Sequence, residues 1–248
     1  MLFKTGRHGI QCIMPKRLDV LYEDDNCLVI NKPAGLAVQG GKGVSICLDS
    51  ILSLNYSPRP LLVHRLDKDT SGVILTAKTK NAAALFSRLF GQERSIIKQY
   101  LAVCSGRPQA ASGLIRMDIE IRGRIKKSET RYTVLHSVIR HGQELPGTGR
   151  FNSGTGEFSL LELELGSGRM HQIRRHLASS GNPVLGDDKY GDFALNKSIR
   201  KTLNVKHLLL HARRLYIPPF SGTGALDISA PLPEYFKSFL EQTGLKVI

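Results

Sequence analysis

The chain has 248 residues, of which 41% are hydrophobic and 23% charged, an ordinary balance for a globular protein that needs no disulfide or metal to hold its core. Its four cysteines (Cys12, Cys27, Cys47, Cys104) form no CxxC pair and no apolar run approaches a membrane span, which argues against zinc, a disulfide framework and a bilayer segment and makes the cytoplasm the expected location. Against 21 Asp+Glu stand 35 Lys+Arg, a net charge of +14 that favours a polyanionic partner, because each neutralised phosphate releases counterions.

Residues 1–17 carry Lys4, Arg7, Lys16 and Arg17 and no acid. They lack the apolar block of a signal peptide and read as a basic extension. From Leu18 the pattern becomes that of a folded domain, 18–248. LDVLYEDDNCLVINKPAG reads as a strand, an acidic turn, a second strand over Cys27–Asn31 and a Pro-Gly loop. A short helix is expected over 44–54. LLVHRLD reads as a strand running into a polar turn, KDTSG, and VILTAKT as the next strand. NAAALFSRLFGQE has helical periodicity, with Asn81 as the expected N-cap. KQYLAVCSG is a strand, and two more are expected near Gly113–Glu120 and Glu129–Ser137.

Residues 141–157 are rich in Gly, Thr and Ser and read as a hairpin loop or an insertion. SLLELEL alternates and should be a half-buried strand. MHQIRRHLASSG reads as a helix closed by Gly181. HLLLHARRLYI is a strand stopped by Pro218 and Pro219, and LPEYFKSFLEQTG is a terminal helix. Many strands, few helices and no regular βαβ alternation imply an α+β fold with a mixed, largely antiparallel sheet and flanking helices.

Reactive groups belong on loops held by rigid elements, and HRLDKDTSG offers Asp67 in such a place. Asp69, Thr70 and Ser71 read equally well as turn formers that bond their own backbone. Asp67 follows apolar residues, and a part-buried carboxylate needs a cation or donors. GRMHQIRRH supplies Arg169, Arg174 and Arg175 beside His171 and His176. On a helix Arg174 falls on the side of His171, and Arg175 points elsewhere. A solvated basic helix face is the plainer reading of that cluster. His171 and His176 are not spaced as a helical zinc pair. GLAVQGGKG lacks the Ser or Thr of a phosphate loop, and GxSxG and GxGxxG are absent. Two basic stretches flank these segments. One comprises Arg122, Arg124, Lys126 and Lys127. The other comprises Lys197, Arg200, Lys201, Lys206, Arg213 and Arg214, with no acid between Asp192 and Asp227. That is what a nucleic-acid groove requires. A membrane surface is disfavoured, since no basic amphipathic helix stands out.

HRLDKDTSGVILTAKT resembles the signature of the RluA-type pseudouridine synthase family, in which the Asp after Arg-Leu is the nucleophile. NKPAG, KQYLAV, GRMHQIRRHLASSGNPVLGDDKYG and HLLLHARRLYI resemble four further blocks of that family in the same order, so the likeness covers about residues 18–240. It implies one α+β catalytic domain with the site in a cleft across the sheet, and neither metal nor cofactor. It implies that Asp67 is the nucleophile, that Arg174 pairs with it, and that Tyr100 stacks on the target base. It further implies that Arg65 holds RNA with that base extruded, and that Leu210 forms an apolar wall of the base pocket. The RNA would be large-subunit ribosomal RNA, or transfer RNA, rather than DNA; a monomer is the default expectation, since nothing in the sequence reads out an oligomeric state. Three departures stand out. Seventeen residues cannot hold the RNA-binding domain that many members carry first, so the likeness is to the short members. Ser167 replaces the usual Thr. Residues 141–157 are longer than usual.

The implied reaction turns uridine into pseudouridine: the N1–C1′ bond breaks, the uracil turns in place and C5 bonds to C1′. The base must leave its stack to be reached, which suits a stacking tyrosine. Asp67 has three routes open: attack at C1′, addition to C6 and abstraction of a sugar proton. Two other functions compete at this stage. A non-catalytic RNA-binding or ribosome-assembly factor would bind RNA without needing Asp67. A glycosidase of free nucleosides would release uracil, and the basic stretches argue against it.

Overall fold

The computed structural model describes residues 18–41, 46–92, 96–121, 123–140, 156–166, 168–219 and 224–247. The basic extension 1–17, most of the 141–157 segment, Arg122 and Ser167 lie outside the described residues.

In chain order the elements are β1 (Val20–Glu23), β2 (Cys27–Lys32), α1 (Leu48–Asn55), β3 (Leu61–Leu62), β4 (Ser71–Ala77), α2 (Lys80–Gly91), β5 (Ile97–Ser105), β6 (Ser112–Arg116), β7 (Ile119–Ile121), β8 (Arg124–Lys126), β9 (Glu129–Arg140), β10 (Gly156–Leu165), α3 (Gln172–Ser179), α4 (Phe193–Thr202), β11 (Leu210–Ile217), β12 (Leu226–Ser229) and α5 (Glu234–Thr243). One large sheet runs β1-β2-β4-β11-β5-β10-β9-β6, with β12 beside β11 and β3 beside β4. Its described pairings are antiparallel except that of β4 with β11. The fold is therefore α+β on a mixed, largely antiparallel sheet.

Alternation along the strands buries both faces. On β5, Leu101 and Val103 pack with Phe236 and Phe239 of α5, while Ala102 and Cys104 pack with Ile173 and Leu177 of α3. Towards the other edge, Leu28, Ile30 and Ile74 meet Leu48 and Leu52 of α1, and Val29, Val73 and Leu75 meet Phe86 of α2. Each fully buried Leu, Ile or Phe is worth about 1.5–3 kcal/mol of transfer free energy. Tyr100 packs against both the α1 cluster and the α3 cluster, so it marks the seam between them.

Several boundaries differ from those expected, each for a local reason. The strand expected over LLVHRLD stops at Leu62. The ladder ends because the His64 side chain, through Nε2, accepts the Leu75 N–H at 2.9 Å. The N-cap of α2 is Thr79, which has extended dihedrals and accepts from the Ala82 N–H at 3.1 Å, rather than Asn81, which is already inside the helix. Helix α4 carries only a narrow apolar stripe, Leu195 and Ile199 continued by Leu203 just beyond it, and an Asp192 cap starts it. The β7–β8 hairpin and β12 are three or four residues each and too short to show a period.

The single parallel junction sets the site. His211 pairs with Ser71 and Ala212 with Gly72, so the exit of the HRLDKDT loop lies against the start of β11. Gly72 has φ +109°, and a Cβ there would run into the Ala212 carbonyl.

Candidate active site

Between β3 and β4 the chain turns through Asp67, closed by a hydrogen bond from Thr70 N to Asp67 O at 3.2 Å. Thr70 and Ser71 are buried, and Ser71 Oγ lies 2.9 Å from His211 Nδ1 and 3.1 Å from the Tyr235 hydroxyl. The Thr70 amide closes the turn, but the Ser71 hydroxyl reaches across to β11 and α5 instead of bonding its own backbone as its type suggested.

Lys32, the lysine of NKPAG, underpins this loop. It is fully buried, and its Nζ donates to the carbonyls of Pro33, Leu36 and Lys68 at 2.9, 2.9 and 3.0 Å. The Gly35 N–H also reaches Lys68 O, at 2.9 Å. Burial pushes the pKa of Lys32 down to about 7, although the nearby Asp69 and Asp67 charges oppose the shift. Three carbonyl acceptors match the three hydrogens of an ammonium group.

The Asp67 side chain is 18% exposed and faces two groups from the opposite segment: Arg174 Nη1 at 3.8 Å and His171 Nε2 at 3.7 Å. Arg174 is not held mainly by Asp67. Its Nε and Nη2 each donate to Asp187 at 2.7 Å, and Asp187 also accepts the Lys189 and Tyr190 N–H groups at 2.9 Å. Burial would raise the Asp187 pKa, but the Arg174 hydrogen bonds and these two amides outweigh it and hold the carboxyl below its usual range. The guanidinium also stands 5.3 Å from the centre of the Tyr190 ring.

His171 caps α3 with φ 53°, a left-handed conformation that is uncommon for a side chain of this kind. Its Nδ1 lies 3.0 Å from the Tyr190 hydroxyl. Burial lowers its pKa despite the Asp67 charge, so the ring meets Asp67 as a neutral group at neutral pH.

A cleft of about 400 Å³ opens above these groups. Its lining includes all five residues singled out from the sequence: Asp67, Arg65, Tyr100, Arg174 and Leu210. Arg65 is exposed at the mouth, Tyr100 half-buried, and Leu210 buried at the start of β11. Burial, and secondarily the Asp67 charge, raises the Tyr100 pKa above its ordinary value, so the phenol keeps its proton. Among the described residues lining the cleft Asp67 is the one carboxylate. The arrangement presents that carboxylate beside an aromatic ring, an apolar wall and cations, which suits a planar base on a phosphate backbone.

The GRMHQIRRH segment is not a solvated basic face. Arg174 and His176 are buried, with His176 Nε2 2.9 Å from Ser128 Oγ, and Arg175 is half-buried. Gln172 fastens the segment to β9 through the Glu129 carbonyl, at 2.8 Å. No group of three or more His, Cys, Asp or Glu among the described residues is placed to hold a metal ion. No described helix is long and apolar enough to cross a membrane. Part of the second basic stretch is engaged within the chain: Arg214 is bidentate to Asp227 at the surface of β11 and β12, and Arg213 donates to Ala230 O. Lys197, Arg200, Lys201 and Lys206 remain around α4, and exposed Lys126 and Lys127 at the β7–β8 hairpin.

Three functional contributors were not foreseen. Lys32 lies in a strand of apolar neighbours, and its burial has no sequence signal beyond the NKPAG block itself. Asp187 stands in GDDKYG, where two adjacent acids hide which one is buried. His171 was visible only as a possible metal ligand.

Comparison with known proteins gives a consistent picture. A family model described as RNA pseudouridylate synthase matches residues 26–179. Ribosomal large subunit pseudouridine synthase C of Rickettsia prowazekii (strain Madrid E) is 37% identical over 221 residues, which is 88% of this chain and 69% of that protein. Ribosomal large subunit pseudouridine synthase D of Xanthomonas campestris pv. campestris is 39% identical over 252 residues, covering 94% of this chain and 71% of that protein. Among solved structures, human RNA Pseudouridylate Synthase Domain Containing 4 superposes with a TM-score of 0.72 at 27% identity, covering 92% of this chain and 94% of that chain.

Proposed function

The chain belongs to the RNA pseudouridylate synthase family, and from that we propose that it isomerises specific uridines of large-subunit ribosomal RNA with Asp67 as its essential carboxylate. Transfer RNA is the second candidate substrate. The protein acts in the cytoplasm as a monomer through one catalytic domain, residues 18–248.

The observation that carries this reading is the isolation of Asp67. It is the one carboxylate among the described residues lining the cleft, set opposite Arg174 and beside Tyr100 and Leu210. The extruded uracil stacks on Tyr100 and rests against Leu210, with Arg65 at the mouth holding the strand. The N1–C1′ bond breaks and the C5–C1′ bond forms, while C5 loses its proton and N1 gains one, so the product is an isomer. Uracil is retained, so no second acid is needed to activate water, and each of the three routes needs only the one carboxylate. Arg174 is pre-set by Asp187, so its charge is in place before RNA arrives.

The test is to incubate transcripts of large-subunit ribosomal RNA and of transfer RNA with the protein and map pseudouridine chemically. Pseudouridine at discrete ribosomal positions is expected. Release of free uracil, or no conversion in either RNA, would overturn the proposal.

A further inference from the structure

A second cleft, of about 870 Å³, adjoins the catalytic one and shares Arg65, Tyr100, Gly168 and Arg169 with it. The part of it that water can occupy, about 310 Å³, lies at the lower end of the range of about 300–1,000 Å³ that small-molecule sites occupy. Its described lining holds three cations, Arg65, Lys98 and Arg169, and no carboxylate. Lys98 reaches the segment that carries Arg169: a Cβ on Gly168 would stand 3.9 Å from Lys98 Nζ. One wall is aromatic. The His64 and Phe90 rings stack with centroids 4.1 Å apart and planes at 17°.

We propose that this second cleft is a subsite for a nucleotide adjacent to the target uridine, its base against the His64–Phe90 pair and its phosphate among Arg65, Lys98 and Arg169. The inference rests on the chain acting on RNA, and adds where the flanking strand goes. A cationic groove with an aromatic platform is what single-stranded RNA uses, since stacking serves any base and the cations follow the backbone. Continuity through Tyr100 and Arg65 means that a strand delivering a base to Asp67 has its next nucleotide at this cleft.

The wall stays uncharged. Burial and the Lys98 charge push the His64 pKa down to about 3. Because Nε2 accepts the Leu75 N–H, the proton of the neutral ring sits on Nδ1. A neutral imidazole stacked on phenylalanine offers a π surface that does not depend on pH near neutrality.

The experiment uses the whole protein and a short transcript containing the uridine that it converts, with an abasic residue placed in turn at each immediate neighbour. An abasic residue at one of the two neighbours lowers kcat/KM of the wild type by about tenfold, chiefly through KM. Phe90→Leu lowers kcat/KM on intact RNA by a similar factor but causes no further loss on that abasic RNA. Lys98→Gln flattens the dependence of log KM on log salt by about one. If neither abasic substitution matters, or if the Phe90→Leu and abasic losses simply multiply, the subsite is wrong. Should Phe90→Leu fail to fold, the abasic series on the wild type decides alone. Conversion of no uridine at all refutes the proposed function and the subsite with it; conversion indifferent to both neighbours refutes the subsite only.

Discussion

Arg174 is bound by Asp187, with Nε and Nη2 each 2.7 Å from a carboxylate oxygen, and meets Asp67 only at 3.8 Å. The Asp187 side chain is fully buried and that of Arg174 5% exposed. The guanidinium is therefore fixed by one acid and presented to another. Helix α4 extends the clamp: Asn196 Oδ1 accepts the Gly186 N–H at 2.9 Å, and Asn196 Nδ2 donates to Asp187 O at 2.8 Å.

Asp187→Asn tests the clamp. Removing one charge of a buried pair costs about 3–5 kcal/mol of stability. The freed guanidinium then closes on Asp67, so kcat falls as well. Arg174→Lys does not restore the geometry, because an ammonium cannot bond both oxygens of Asp187 in a fork. Urea denaturation and steady-state kinetics are the readouts, and unchanged stability together with unchanged kcat in Asp187→Asn would refute the clamp.

Lys32→Met probes the support beneath the Asp67 loop. It leaves the Pro33 and Leu36 carbonyls without the donor that Lys32 provides, while Lys68 O keeps only the Gly35 N–H. Each buried acceptor so stranded costs roughly 1–3 kcal/mol. The Gly35 amide, which bonds Lys68 O, should exchange with deuterium much faster than in the wild type. An unchanged Gly35 exchange rate would show that Lys32 does not hold the loop.

Much of the fold was legible because strands such as SLLELEL and KQYLAVCSG carry clear apolar patterns, and because β2 and β10 are where those patterns place them. Several of the failures share a cause, a side chain acting at long range, whereas the Thr79 cap and the short strands fail for local reasons. His64 ends β3 by bonding a residue eleven positions away. Asp187 takes the arginine that sequence reasoning gave to Asp67, and no periodicity in GDDKYG reveals that one acid is buried and the other exposed. Helix α4 shows only the short stripe of Leu195 and Ile199, and it is fixed further by tertiary contacts such as Asn196 with Asp187 O, which no local pattern encodes. Of the site, the residue types and their order were readable; the hierarchy of partners was not.

Acid should unfold the protein through its buried histidines. His176 and His211 are fully buried, and burial pushes each pKa down to about 4. The unfolded chain, with a value near 6.5, then binds protons that the native state refuses, so stability is lost as pH falls from about 6.5 towards 4. Each contributes roughly 3 kcal/mol across that window. His176 shows why: Ser128 Oγ donates to Met117 O, so Nε2–H donates to Ser128, and a proton on buried Nδ1 would find no acceptor. The ring resonances of His176 and His211 should remain those of neutral imidazole down to about pH 5. Titration of both rings near pH 6.5 in the folded protein would contradict this.

Gly72→Ala should damage the loop without touching a functional group. At φ +109° a side chain is strained, by roughly 1–3 kcal/mol, and its Cβ meets the Ala212 carbonyl. The β4–β11 contact must open, carrying Asp67 away from Tyr100 and Leu210. The melting temperature and kcat should both drop, and wild-type values for both would show that the parallel junction does not position the site.

The central claim is that Asp67 performs the chemistry, and the most direct measurement is pseudouridine formation on a large-subunit ribosomal RNA transcript by Asp67→Asn beside the wild type. The amide keeps the size of the side chain and leaves the Arg174–Asp187 pair in place, so folding and RNA binding should persist. The expected result is tight, salt-dependent RNA binding with no detectable pseudouridine. Wild-type turnover by Asp67→Asn would contradict the assignment.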